Sequence, residues 1–322
     1  MGKQLLRFGW VGFHEEGIPA LNWLLSSNYK IVTVITLDEK SARVRSAVGD
    51  YSSVCGNYGI TPFRIDNINS QEAVRHLEHM DLDLVFVIGW SQIIHKKALS
   101  TSRLGMIGAH ASLLPHNRGS APINWAIING EKKTGNTLIR LSEDVDTGEI
   151  IDQIEFPIKP YDSCKTLYEK VAETNREMIA RTIPRIVAGE RLGQNQSLIA
   201  EPVLPRRRPK DGDIDWSKSA DRIYDFVRAL TRPYPGARGY LESQMWLIWK
   251  CSFLPNAVTA EAAMAGECIG PLISFDAGAC GQVVKCGDGM VVLNEVEDRS
   301  GRLYSGIDLC NLNWQGRRWK NE

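Results

Sequence analysis

Leu5-Leu6-Arg7-Phe8-Gly9-Trp10-Val11-Gly12-Phe13-His14 is an apolar run ending at a pair of spaced glycines, the pattern of a buried strand closing in a turn. Gly17 to Ser27 then sets Ile18, Leu21, Leu24 and Leu25 at helical spacing, and Ile31 to Leu37 returns to β-branched and apolar residues. Strand, helix and strand in that order predict a βαβ unit. Gly9-x-x-Gly12 is not a GxGxxG fingerprint and lacks its remaining context, so the glycines read as a tight strand-to-helix turn.

Working outward, Asp38 to Gly56 is polar and reads as a surface loop or short helix. Ile60 to Ile65 suits a short strand and Ser70 to Met80 a helix. Asp83 to Trp90 carries the strongest buried-strand signal of the chain, followed by a short helix over Lys96 to Ser100. A strand over Thr137 to Leu141 and a long amphipathic helix over Ser163 to Gly189 complete an α/β domain, placed at residues 1–203. The basic stretch Pro205-Arg206-Arg207-Arg208-Pro209-Lys210-Asp211-Gly212 marks the boundary, and residues 204–322 form the second domain. Ser219 to Leu230 reads there as a helix. From Gly239 on, short strands with turns at Gly266, Gly270, Gly278, Gly281 and Gly287-Asp288-Gly289 predict a small β-barrel of OB type.

Bulk properties narrow the function classes. The 322 residues are 43% hydrophobic and 24% charged, which argues against disorder, and 38 basic residues balance 38 acidic ones. Zero net charge disfavours a wide nucleic-acid interface. Seven cysteines without a CxxC pair read as reduced thiols, and no Cys/His set has zinc-site spacing, so no metal is expected. The N-terminus is too short and interrupted for a signal h-region and nothing approaches a membrane span, so a cytoplasmic protein is expected.

The chemistry-bearing residues follow the strong strand. Gly105-Met-Ile-Gly108-Ala-His110-Ala-Ser112-Leu-Leu-Pro115-His-Asn-Arg118-Gly119-Ser-Ala-Pro122-Ile-Asn124-Trp125 gathers an imidazole, a hydroxyl, a guanidinium and several turn-formers. A loop-heavy polar cluster at the end of an α/β strand is where ligands bind. Asp146-Thr147-Gly148 sits on a turn from which the carboxylate can reach His110. Taken alone, a loop histidine is more often a packing residue, and Asp-Thr-Gly more often a turn or helix cap.

The ordered set His110-Ala-Ser-Leu-Leu-Pro-x-x-Arg118-Gly119-x-x-Pro122, then Trp-Ala-Ile-Ile-Asn-Gly, then Asp146-Thr-Gly, resembles the folate-dependent formyltransferase family. The resemblance implies a Rossmann-like catalytic domain, 10-formyltetrahydrofolate as cofactor, and His110 and Asp146 as the catalytic pair. It places the folate against Gly89, Trp90, Ile94, Leu141, Val145 and Asp146. Ser112, Arg118, Gly119, Pro122, Arg206, Arg207, Trp216 and Tyr234 are its substrate-binding candidates. One position departs: the family has Asn two residues before the histidine, and Gly108 stands here. That amide helps hold the formyl oxygen, so another donor must replace it, and the glycine opens space for a bulkier acyl group.

The stretch from Arg206 through Asp215-Trp216 to Pro233-Tyr234-Pro-Gly236-Ala237, with Cys286-Gly-Asp-Gly289, is similar to sugar N-formyltransferases, in particular the domain acting on UDP-4-amino-4-deoxy-L-arabinose. The resemblance thus implies a nucleotide-linked amino sugar as acceptor, as used in polysaccharide biosynthesis. The arginines and an aromatic platform suit a nucleotide diphosphate. Methionyl-tRNA formyltransferase is the second reading, and a binding protein disabled at Gly108 the third. A homodimer through the C-terminal half is compatible with the sequence, although no residue pattern demands it.

Overall fold

The structure, a computed structural model, describes residues 5–197, 201–254 and 262–320; residues 1–4 of the N-terminus judged above against a signal segment lie outside it. In chain order the elements are β1 (Arg7–Val11), α1 (Ile18–Ser26), β2 (Lys30–Leu37), α2 (Glu39–Ala42), α3 (Tyr51–Gly56), β3 (Phe63–Ile65), α4 (Gln71–His79) and β4 (Leu84–Val87). Then come α5 (Lys96–Leu99), β5 (Met106–His110), α6 (Pro122–Ile128), β6 (Lys133–Arg140), β7 (Ile150–Pro157) and α7 (Cys164–Val187). The remainder comprises α8 (Ala220–Leu230), β8 (Ala237–Leu241), β9 (Gln244–Leu254), β10 (Cys268–Leu272), β11 (Gly281–Lys285), β12 (Met290–Glu297), β13 (Leu303–Ser305), α9 (Gly306–Cys310) and β14 (Trp319–Lys320).

Two compact units emerge. The first holds residues up to Ile123, Lys133–Ile158 and Thr166–Arg206; the second holds Asn124–Lys132, Lys159–Lys165 and the residues from Arg207 on.

In the first unit the sheet order is β3-β2-β1-β4-β5-β6-β7. The pairings from β3 to β5 are parallel, and β6 and β7 add antiparallel strands. Side chains alternate between two cores, as the pleat requires. Phe8, Trp10, Leu84 and Phe86 join Leu21, Leu24 and Ile183 on one face. Val11, Val85 and Val87 join Ile35, Leu77 and Met106 on the other. Burial on both faces is why these strands read as continuous apolar runs, and each such side chain contributes on the order of 1.5–3 kcal/mol. Ser70 caps α4 by accepting from the Ala73 N–H, which fixes where that helix starts.

This architecture positions the site. Strand order reverses between β1 and β4, and ligands of such sheets settle outside the carboxyl ends at that point. The segments that leave those ends are Gly12–Gly17 after β1, Gly89–Trp90 after β4 and the loop after His110, the last residue of β5.

Sequence reading and structure differ in three places here. His110 lies at a strand end rather than on a loop, because β5 pairs with β4 through Gly108 and with β6 through His110 opposite Thr137. The run expected to be loop-heavy also contains α6. And β7 is an edge strand whose Asp152, Gln153 and Glu155 interrupt the apolar pattern.

In the second unit the antiparallel order is β10-β11-β12-β9-β8-β14, with β13 paired to β12. The two ends of this order meet: the Cys268 N–H donates to the Arg317 carbonyl and the Trp319 N–H to the Gly266 carbonyl, each at 2.8 Å. The sheet therefore closes into a small barrel, which removes its free edges. Trp319 fills it between Trp216 (centroids 5.7 Å apart) and Trp314 (5.3 Å). Gly270 was expected at a turn; it sits inside β10 at a register shift, with φ +137°. No helix among the described residues is long and apolar enough to cross a membrane. All seven cysteines are buried and unpaired.

Candidate active site

His110 is buried and pinned from two sides. Its Nε2 lies 2.8 Å from the Asn117 carbonyl oxygen, and a carbonyl only accepts, so that nitrogen carries hydrogen. Its Nδ1 faces Asp146 Oδ2 at 3.5 Å, longer than a strong hydrogen bond and close enough for an ionic contact. The same Asp146 oxygen accepts the Gly119 N–H at 2.9 Å. One carboxylate thus holds both the ring and the loop that follows it.

The backbone pays for this arrangement. Asn117 (φ +57°), Gly119 (+111°), Ala121 (+54°) and Asp146 (+52°) all occupy the left-handed region. Asn, Asp and Gly tolerate it, whereas alanine carries a cost of about 1 kcal/mol. Such concentrations of strain mark functional loops. Gln196 steadies the Asp146 turn, its Nε2 donating to the carbonyls of Asp146 (2.8 Å) and Gly148 (2.7 Å). Gly148 is required on contact grounds, since an added Cβ would lie 1.6 Å from the Arg140 carbonyl oxygen.

Gly108 lies on β5 two residues before His110, hence on the same face. The space expected to be open there is filled: an added Cβ would meet Leu141 Cδ2 at 2.6 Å. Leu141 and Gly108 are therefore complementary. Gly108→Asn alone should cost about 1–3 kcal/mol by overpacking. Combined with Leu141→Ala, the two losses should fall short of additive by about 1 kcal/mol or more in denaturant melts. Strict additivity would show that Leu141 is not the obstacle.

Among the folate candidates, Gly89 (φ +65°) accepts the Phe13 and His14 N–H groups, both at 3.2 Å, so the loops after β1 and β4 are laced together. Trp90 packs edge-on to Phe13 at 5.8 Å, and its buried Nε1 has no hydrogen-bond partner. Leu141 and Val145 are half-buried on the Asp146 side. Ile94 is 6% exposed and packs in the core with Val11 and Met106.

The substrate candidates divide. Ser112 is fully buried with its hydroxyl donating to the His116 carbonyl at 2.7 Å, and it shapes the loop. Arg118 and Gly119 stay on the loop beside Asp146, Pro122 is buried as the first residue of α6, and Arg206 is exposed at the end of the first unit. Arg207, Trp216 and Tyr234 belong to the second unit. There Arg207 stacks over Trp125 at 4.9 Å, and Tyr234 is half-buried. Trp216, 4% exposed against Trp319, is a core residue and no platform for a base.

Sequence reasoning missed the polar turn after β1. His14 Nδ1 accepts the Glu16 N–H at 3.3 Å and lies 3.4 Å from its carboxylate, while His14 Nε2 is buried without a partner. A Cβ on Gly89 would lie 3.3 Å from Glu16 Oε1, so this turn abuts the folate candidates. The signal was a His-Glu-Glu run directly behind a buried strand.

Burial pushes the Glu16 carboxyl up to about 7, with Glu15 adding repulsion, and pulls the His14 imidazole down to about 4. The raised carboxyl loses stability as pH climbs from its unfolded value to about 7; the depressed imidazole loses stability as pH falls from its unfolded value to about 4. Glu16→Gln should therefore stabilise the protein by about 3 kcal/mol at pH ~8 and by nothing at pH ~4. Urea melts at both pH values check this, and an equal effect at both would overturn it.

With the geometry in place, the comparisons with known proteins add the family. Residues 19–183 match the formyl transferase family and residues 207–313 its C-terminal domain. The chain belongs to the formyl transferase family, whose members are enzymes that transfer formyl groups. It is 34% identical over 238 residues to the bifunctional polymyxin resistance protein ArnA of Wigglesworthia glossinidia brevipalpis, covering 74% of this chain and 36% of that protein, about a third of its length. It is 29% identical over 313 residues to methionyl-tRNA formyltransferase of Citrifermentans bemidjiense, covering 96% and 95%. An N-formyltransferase from Helicobacter canadensis, solved with folinic acid and dTDP-3-aminofucose, superposes with a TM-score of 0.65 at 18% identity, covering 90% of this chain and 99% of that one. At that identity the likeness is one of fold.

Proposed function

We propose that this protein transfers a formyl group from 10-formyltetrahydrofolate to the amine of a nucleotide-linked amino sugar. The observation that carries the reading is the His110–Asp146 pair, locked at a strand end by Asn117 and Gly119. The ArnA relative and the amino-sugar complex of the Helicobacter canadensis enzyme support the acceptor class.

The residues present fit the folate. Gly89 and Trp90, the latter with an unpartnered buried N–H, and the half-buried Leu141 and Val145 offer a part-apolar bed with a free donor. When bound there, the cofactor supplies the formyl carbon. The incoming nitrogen has to shed a proton, and the Asp146 carboxylate beside the ring is the acceptor placed to take it and to return it to the departing nitrogen. The His110 Nε2–H becomes a donor to the formyl oxygen once it exchanges the Asn117 carbonyl for it. Asp146 keeps the ring oriented meanwhile. With Gly108 in place of an amide, that N–H carries more of the oxyanion stabilisation.

The test is incubation with 10-formyltetrahydrofolate and a panel of nucleotide-linked 4-amino and 3-amino sugars, following a formyl mass gain. Gain on one sugar, abolished by His110→Ala, supports the reading. A second reading is favoured by the near full-length match to methionyl-tRNA formyltransferase. Formylation of initiator methionyl-tRNA with none of the sugars would establish it instead.

A further inference from the structure

A cavity of about 460 Å³ opens in the first unit at the carboxyl end of β2, between Thr36, Leu37 and the segment running to Ser52. It includes neither His110 nor Asp146, so it is a place apart from the site described above. Three guanidiniums line it: Arg43, Arg45 and Arg64. Two carboxylates oppose them, and both are already engaged. Asp50 caps α3 through the Ser53 N–H at 2.9 Å, and Glu39 lies 3.9 Å from Arg43 in full solvent.

The arginines are arranged for a ligand rather than for each other. Arg64 is held in place by the Leu37 carbonyl (3.0 Å) and the Ser52 hydroxyl (2.6 Å). Arg45 is half-buried, and its Nε is buried without any hydrogen-bond partner. Burial and the neighbouring charge of Arg206 both press against the Arg45 cation. A buried donor with no acceptor, next to a like charge, costs free energy that an anion entering the cavity would relieve. Guanidiniums bind phosphate oxygens through forked, charge-assisted hydrogen bonds.

We infer that this cavity is an anion site that holds the diphosphate of a nucleoside diphosphate. The inference rests on the reading that the acceptor is a nucleotide-linked amino sugar. β2 is separated from β5 by β1 and β4, three strand steps or about 14 Å along one edge of the sheet. A sugar and its diphosphate span such a gap, with the amine toward His110 and the phosphates toward Arg45. Arg206, expected to contact substrate, then borders the same site, because its charge bears on the Arg45 guanidinium.

The full chain is titrated calorimetrically with inorganic pyrophosphate, then with UDP and dTDP. The expected result is saturable binding that Arg45→Gln and Arg64→Gln each weaken about tenfold or more, while Arg75→Gln, exposed and outside the cavity, leaves it unchanged. Arg64 is exposed, so its variant keeps the core intact should Arg45→Gln fail to fold. Absence of saturable pyrophosphate binding, or affinity unchanged in both arginine variants, overturns the site. So does Arg45-dependent binding of a tRNA acceptor minihelix without binding of pyrophosphate or UDP. An unformylated sugar panel with Arg45-dependent pyrophosphate binding intact would sink the acceptor reading and leave the anion site standing.

Discussion

His110→Ala lowers formyl transfer about a hundredfold or more, with the fold retained. The substitution removes the imidazole held between Asn117 and Asp146. Losing one preorganised donor, or one positioned acid–base group, has effects of this size in enzymes generally. The hydrogen bond to the Asn117 carbonyl is lost, so some stability goes too, about 1 kcal/mol. Asp146→Asn separates charge from shape: asparagine tolerates the left-handed backbone at φ +52° and still offers an oxygen to the Gly119 N–H. Its turnover should fall as well, with little change in thermal stability. Wild-type turnover in His110→Ala, measured at saturating folate and acceptor, would remove this pair from the mechanism.

Gly148→Ala should be the most damaging small substitution in the first unit. The new methyl would overlap the Arg140 carbonyl oxygen at 1.6 Å, and backbone cannot step aside as a side-chain tip can. The turn must open, which pulls Asp146 away from both His110 and Gly119. A stability loss of about 3 kcal/mol and near-complete loss of transfer are expected together. Gly189→Ala is the control, since nothing lies within 4 Å of the added atom and only its positive φ is penalised. If Gly148→Ala melted and turned over like wild type, the turn would not be holding Asp146 in place.

What was legible in the sequence follows from where the signals are strong. β1, β2 and β4 are buried on both faces over most of their length, so their side chains form largely apolar and β-branched runs. β5 was hidden because Gly108, Ala109 and His110 carry neither β-branched nor aromatic weight; only pairing with β4 and β6 makes them a strand. α6 was hidden by the turn-formers preceding it. His110 and Asp146 were legible from an ordered motif, and the structure brings them within 3.5 Å. Ser112, Ile94 and Trp216 are buried, which a motif match does not reveal because it does not say which way a side chain faces. Glu16 matters through its approach to Gly89, distant in the chain, and Gly148 through the way its turn folds back on Arg140, which no local pattern encodes.

The hydrogen bond from His110 Nε2 to the Asn117 carbonyl makes the resting ring a parked one. Freeing it for a ligand means shifting a loop braced by left-handed residues on either side of Arg118. On the proposed function, an acceptor that displaces this loop would free the ring in the same movement, so folate bound without acceptor would leave the imidazole docked.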